Sequence, residues 1–246
     1  MNTPIQRGFP SPFMVYSVRD SYGTEMEKYL QEVLVEGAKV LGVDLPAERV
    51  EAFDFLMEEL LRWNRKMNLT AISDRFEIVV KHFLDSLAVS PHLSPGSSLL
   101  DVGSGAGFPC IVLKISDPSL RVTSIDSSGK KLSFQKHLIR QLGLEGMDTV
   151  QAHLPNSHIV ERYGKCFDYA VSRAFGKLRN FLRIAHPLIK DTGIIVAMKG
   201  KMEKGGRPNH SVLIRFNMRL QRAVSFTLPF IDADRTLLFF ARRESP

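Results

Sequence analysis

Apolar positions recur at helical spacing through the first third of the chain and at strand spacing after it. Leu30, Val33, Leu34, Val40 and Leu41 form one stripe, behind a capping-box pattern at Thr24-x-x-Glu27, and Gly42 ends it. Pro46 suits the first turn of a second helix, whose stripe is Val50, Phe53, Leu56, Met57, Leu60 and Leu61. Asp74-x-x-Glu77 opens a third, with Phe76, Val79, Val80, Phe83, Leu84 and Leu87 on one side. Residues 24–95 are thus predicted to be a helical lead-in packed on a sheet. Residues 1–23 hold three prolines and no period, which predicts a flexible leader.

From Ser98 the rhythm changes to strand, helix, strand. The predicted segments are 98–103, 107–116, 121–126, 129–142, 147–152, 167–172, 177–189 and 193–199. Such alternation predicts a parallel sheet with helices on both faces, an α/β fold. Leu220–Phe230 and Thr236–Arg242 read as a terminal antiparallel hairpin, with no long helix before it. Residues 96–246 form this second part of a single compact domain.

The densest signal is Asp101-Val102-Gly103-Ser104-Gly105-Ala106-Gly107-Phe108-Pro109, between an apolar strand and a helix. Glycines at a strand-to-helix turn let a ligand approach the backbone and its free N–H groups. A dinucleotide fingerprint, G-x-G-x-x-G, would need glycine at 108, where Phe stands. That argues against a nicotinamide-linked oxidoreductase. The pattern D-x-G-x-G-x-G resembles the first motif of S-adenosylmethionine-dependent methyltransferases. A second acid, Asp126, ends the next apolar run, where a carboxylate can take both ribose hydroxyls.

Six blocks, in order, resemble the bacterial small-subunit (16S) ribosomal RNA guanine-N7 methyltransferase family, also called glucose-inhibited division protein B. They are Arg62-Trp63-Asn64-x-x-x-Asn68-Leu69-Thr70, Lys81-His82-x-Leu84-Asp85-Ser86, the glycine block, Asp126-Ser127-x-Gly129-Lys130-Lys131, Ser172-Arg173-Ala174-Phe175 and Met198-Lys199-Gly200. The resemblance implies a class I (Rossmann-like) fold: a mostly parallel seven-stranded sheet with a terminal antiparallel hairpin and an N-terminal helical extension. It implies S-adenosyl-L-methionine as cofactor, held by Asp101, Gly103, Ser104, Gly105, Gly107, Phe108, Asp126, Leu154 and Arg173. It implies a guanine in the decoding-region loop as target, and altered streptomycin sensitivity when the enzyme is lost. Pro155 stands where many relatives carry an acid, and Cys110 where they often carry glycine.

What is absent fits N7 chemistry. Guanine N7 keeps a free lone pair, so no general base is needed. The Asn/Asp-Pro-Pro-aromatic turn of amine-directed enzymes is replaced by Ser172-Arg173-Ala174-Phe175, and neither Cys110 nor Cys166 is placed as a catalytic thiolate. Catalysis then rests on positioning, with Arg173, Asn64, Asn68, His82 and Asp85 as candidates. Two readings of the last four stay open: lining the pocket mouth, or capping and packing. His82 lacks the partner spacing of a metal ligand, and no metal is expected.

Charge then narrows the partner. The 246 residues carry a formal +7, with a pI near 9.5, which favours a polyanion. Lys130, Lys131, Lys136 and Arg140, and then Lys199, Lys201, Lys204 and Arg207, with Arg173, are the candidate contacts to 16S rRNA phosphates. Phe175 is equally a base-stacking or a core residue. No run approaches a membrane span, no export signal is present, and two cysteines form no framework. A cytoplasmic monomer acting on the small ribosomal subunit is expected. A non-catalytic ribosome-assembly factor with a vestigial pocket is the main alternative.

Overall fold

A computed structural model describes residues 26–173, 176–201 and 209–243. The leader, Thr24, Phe175, Lys204 and Arg207 lie outside them. Helix α1 (Lys28–Val40) begins later than a cap at Thr24 would start it; Glu27 is its N-cap and makes no side-chain cap. Helix α2 is Ala47–Met67, with Pro46 one position before its first turn. The cap at Asp74 forms: its carboxylate accepts from Glu77 N–H at 2.8 Å. The predicted third helix is not uniform. It runs as α3 (Arg75–Ile78), a π-helical stretch Val79–Leu84, and α4 (Asp85–Leu87). Such bulges cluster at functional sites, and this one carries His82.

The sheet has seven strands in the order β3-β2-β1-β4-β5-β7-β6. They are β1 (Ser98–Val102), β2 (Arg121–Asp126), β3 (Met147–Gln151), β4 (Phe167–Arg173), β5 (Ile189–Lys199), β6 (Met218–Thr227) and β7 (Asp234–Arg242). The first five run parallel, and β7 pairs antiparallel with both β5 and β6. Every position of β1 is buried, as a central parallel strand requires.

The remaining helices are α5 (Cys110–Ser116), α6 (Gly129–Gln141), α7 (Ser157–Tyr163), α8 (Leu178–Ala185) and α9 (His210–Arg215). Phe53, Leu56, Phe83 and Leu84 of the lead-in join Ile111, Phe134 and Phe239 in one buried cluster. On the other face Phe181, Leu182 and Ile184 of α8 and Leu213 of α9 pack with Leu100, Ile195 and Leu238.

Four boundaries depart from the sequence reading. Helix α5 starts at Cys110, not 107, because Gly107 has φ +99°. Helix α8 ends at Ala185, ahead of Pro187, so β5 starts at Ile189, not 193. Helix α7 was not predicted; Asn156 caps it by accepting from His158 N–H at 3.0 Å. The hairpin starts at Met218, behind the short α9.

Candidate cofactor site

The site lies at the C-terminal ends of β1, β2 and β4, where the glycine turn leaves the sheet. Gly103, Gly105 and Gly107 have φ of +70°, +58° and +99°, a region side chains avoid. A Cβ on Gly107 would also clash with the Ile111 side chain. The turn is pinned from beside and beneath. Gly103 N–H donates to Ile125 O at 2.8 Å. Gln135 Nε2 donates to Gly105 O at 2.7 Å and to Ser104 Oγ at 2.8 Å, and Ser124 Oγ donates to Gln135 Oε1 at 2.6 Å. The Ser104 side chain, only 2 % exposed, therefore faces the protein and supports the turn. Sequence reading passed over Ser124 and Gln135, whose polarity inside apolar runs was the only available signal.

Two carboxylates flank the turn. Asp101 is fully buried; Oδ2 accepts from Cys110 N–H at 3.1 Å, and Oδ1 has no partner among the described residues. Burial pushes its pKa up to about 7, opposed by the thiol and the N–H of Cys110 beside it. A buried oxygen without a donor calls for a cationic or N–H-bearing group, and the ammonium of an amino-acid-bearing cofactor fits that demand. Asp126 instead is satisfied by backbone: Oδ2 accepts from Gly105 N–H and Oδ1 from Ser128 N–H, both at 2.8 Å. Each oxygen keeps a lone pair for a ribose hydroxyl. Leu154, partly buried, follows β3 on the same edge, with Pro155 exposed beside it.

The lead-in reaches this turn through side chains. His82 stacks on Phe108, ring centroids 4.4 Å apart and planes within 8°. Arg173, ending β4, lies over the same ring at 5.4 Å. It donates to Lys81 O at 2.8 Å and pairs with His82 Nδ1 at 3.0 Å. Burial and the nearby guanidinium hold the His82 pKa down to about 3, so the ring is neutral. Nδ1 accepts from Arg173, which leaves the proton on Nε2, 2.9 Å from Thr70 Oγ. Asp85 sits 3.7 Å from Arg173 and accepts from Arg235 Nε at 3.0 Å. Burial raises its pKa, and the two guanidiniums oppose that rise. Arg235 lies 150 residues beyond Asp85, and sequence reading did not find it.

The other candidates spread outward. Asn64 Oδ1 accepts from Thr70 N–H at 2.9 Å, and Asn68 is the left-handed C-cap of α2 at φ 50°, so both shape the turn that carries Thr70. Lys130 and Lys201 are exposed and Lys131 is half-buried, its Nζ 4.0 Å from where a Gly105 Cβ would stand. Lys201 pairs with Asp234 at 3.3 Å. Lys199 donates to Gly176 O at 3.2 Å, and burial lowers its pKa. Among the described residues no cluster could hold a metal ion, and no helix is long and apolar enough to cross a membrane.

Solved structures with a similar fold include a SAM-dependent methyltransferase from Aquifex aeolicus, at TM-score 0.52 and 16 % identity, covering 70 % of this chain and 96 % of that one. The [4+2]-cyclase SpnF matches equally well, at TM-score 0.52 and 14 % identity over 66 % of this chain and 82 % of that one. The fold alone therefore does not assign an activity. Sequence relatives do more. The chain is 39 % identical over 222 residues to the ribosomal RNA small subunit methyltransferase G of Geobacter metallireducens, covering 89 % of this chain and 99 % of the relative. It is 35 % identical over 224 residues to the protein of the same name from Acetivibrio thermocellus, covering 90 % and 93 %. The model of the GidB family, rRNA small subunit methyltransferase G, matches residues 49–229, the stretch that holds the turn, both carboxylates and the His82–Phe108 stack. The chain belongs to that family.

Proposed function

We propose that this protein transfers the methyl group of S-adenosyl-L-methionine to N7 of one guanine in 16S rRNA of the small ribosomal subunit. The observation that carries the reading is the buried Asp101 carboxylate, one oxygen of which lacks a partner among the described residues, beside a three-glycine turn and one strand from Asp126. Gly103, Gly105 and Gly107 bring the backbone close to the ligand. Asp101 meets its ammonium, Asp126 its ribose, and Leu154 its base. Ser104 serves the turn itself, its N–H donating to Ile125 O and its carbonyl accepting from Gly107 and Phe108 N–H. The cofactor supplies an activated methyl group on a sulfonium.

The chain then has one task, to hold the guanine edge in line with that group. No residue needs to remove a proton, because N7 has a lone pair at neutral pH. Phe108 and the His82 ring beneath Arg173 form a rigid wall. Asp85 lies against both Arg173 and Arg235, so its carboxylate offsets part of the positive charge near a base that becomes cationic. Lys130, Lys131, Lys199 and Lys201 line the approach to this end of the sheet, where rRNA phosphates would lie. In this reading the enzyme works as a monomer in the cytoplasm, where small subunits are found.

The test is methyl transfer by the full-length protein from labelled cofactor to deproteinised 16S rRNA, precursor particles and small subunits. Reduction and aniline cleavage then map any N7-methylguanine. The expected result is label in RNA and cleavage at a single guanine. Cofactor binding without transfer to any of the three substrates would support an assembly factor instead. Binding of a nicotinamide dinucleotide but not of S-adenosylmethionine would support an oxidoreductase.

A further inference from the structure

Two helices stand apart from the rest in charge. Helix α6, following β2, carries Lys130, Lys131, Lys136 and Arg140 and no acid. The segment from Arg173 to Lys190, which contains α8, holds five basic residues and likewise no acid. In this segment Lys177, Arg179 and Arg183 are exposed. Among the described residues none of the three has an ion-pair partner. Some basic residues elsewhere do, as Arg62 does with Glu59, Arg75 with Glu58 and Lys165 with Asp191.

The placement of these charges runs against local preference. Lys177 is the N-cap of α8 and makes no side-chain cap, and the first turn holds no acid. The helix dipole disfavours cations there. Arg179 and Arg183 are four apart on one helix, a like-charge pair that opposes helix formation. The helix is held by its buried side, Phe181, Leu182, Ile184 and Ala185, while among the described residues no acid pairs with its exposed cations. Local rules broken on an exposed face point to a functional role for that face.

The position of α8 identifies the chemistry of a partner. Phe134 and Leu138 of α6 pack in the cluster on one face of the sheet, and Phe181, Leu182 and Ile184 of α8 in the cluster on the other. Both helices leave strands at the edge that holds the glycine turn and Arg173. Lys199, itself at that edge, donates to Gly176 O and so ties the start of the α8 segment to the end of β5. Lys177 stands at the start of α8, and Arg179 and Arg183 follow along the helix. Arg179 and Arg183 are separated by about 6 Å along the helix axis, and each guanidinium can grip a phosphate with two N–H groups.

We infer that Lys177, Arg179 and Arg183 hold phosphates of the substrate rRNA, so that α6 and α8 grip the RNA from opposite faces of the sheet with the cofactor turn between them. This rests on the proposed rRNA methyltransferase activity.

The test is binding of deproteinised 16S rRNA by the full chain across a salt series, with S-adenosylmethionine affinity measured by calorimetry on the same samples. R179Q/R183Q is expected to lower the slope of log affinity against log salt by about 1.5, at about 0.7–0.9 for each phosphate no longer neutralised. K177Q alone is expected to lower it by about 0.8. R179K/R183K, which keeps the charge, should retain the slope, and all three should bind the cofactor as the parent does. A parent slope left intact by both R179Q/R183Q and K177Q overturns the inference. So does a defect seen only on intact subunits and not on deproteinised rRNA, which would assign α8 to a protein partner. A parent chain that neither binds nor methylates rRNA overturns the functional reading itself, and the role of α8 with it.

Discussion

Asp101 and Asp126 sit at the ends of neighbouring parallel strands, and the fold treats them in opposite ways. Asp126 is partly exposed and both its oxygens accept backbone N–H groups, from Gly105 and from Ser128. It holds the turn in place with or without a ligand. Asp101 is fully buried, one oxygen lacks a donor, and its pKa stands near 7. It is at odds with its own surroundings. The same side chain, one strand apart, serves as an anchor in one place and as an unmet demand in the other. Environment decides the role, and the unmet demand is where a cationic ligand gains most.

The largest effect separating the two should come from removing charge without changing shape. A pKa raised from 3.8 to about 7 corresponds to about 4 kcal/mol of penalty on the ionised form. Asp101→Asn should therefore stabilise the protein at pH 8 by about 2–4 kcal/mol in urea unfolding. Asp126→Asn should cost about 1–2 kcal/mol, because two charge-assisted hydrogen bonds weaken. Loss of stability in both variants would erase the contrast.

Next in size is cofactor affinity in Asp126→Ala, expected to fall by about 1–3 kcal/mol by calorimetry. Unchanged affinity would remove Asp126 from the site.

The pH profile sharpens the comparison further. The folded-state pKa of Asp101 is raised, so its contribution to stability is full below about 3.8 and is lost as pH rises through about 7. His82 acts in the opposite sense. Its folded pKa is lowered, so its contribution is full above about 6.5 and is lost as pH falls towards about 3. Stability of the parent should decline between pH 6 and pH 8, and that decline should vanish in Asp101→Asn. The smallest effect is Ser124→Ala, about 1 kcal/mol from one buried hydrogen bond beneath the turn.

The glycine turn and its two acids were legible in the sequence because their geometry is local. A strand, three glycines two apart and a helix leave few conformations, and the parallel direction of β1 to β5 follows from the alternation. The lead-in network was not legible. Thr70 and His82 are 12 residues apart, His82 and Arg173 91, and Asp85 and Arg235 150. No period links them; only the folded chain brings them together. His82, Asp85 and Thr70 stood out as residues, but neither the His82–Thr70 pairing nor Arg235 did. The π-helical stretch was hidden as well, since an apolar stripe at helical spacing does not reveal one widened turn. Helix α7 was missed because Ser157–Tyr163 is short and buries only Ile159.

If Asp101 takes up the cofactor's positive charge, binding releases its proton. S-adenosylmethionine is titrated into the full-length protein at pH 6.5 in buffers of different ionisation enthalpy, for the parent and for Asp101→Asn. The parent is expected to release a substantial fraction of a proton, because Asp101 becomes ionised, and Asp101→Asn none. Equal proton release by the two proteins, or none by the parent, would contradict it.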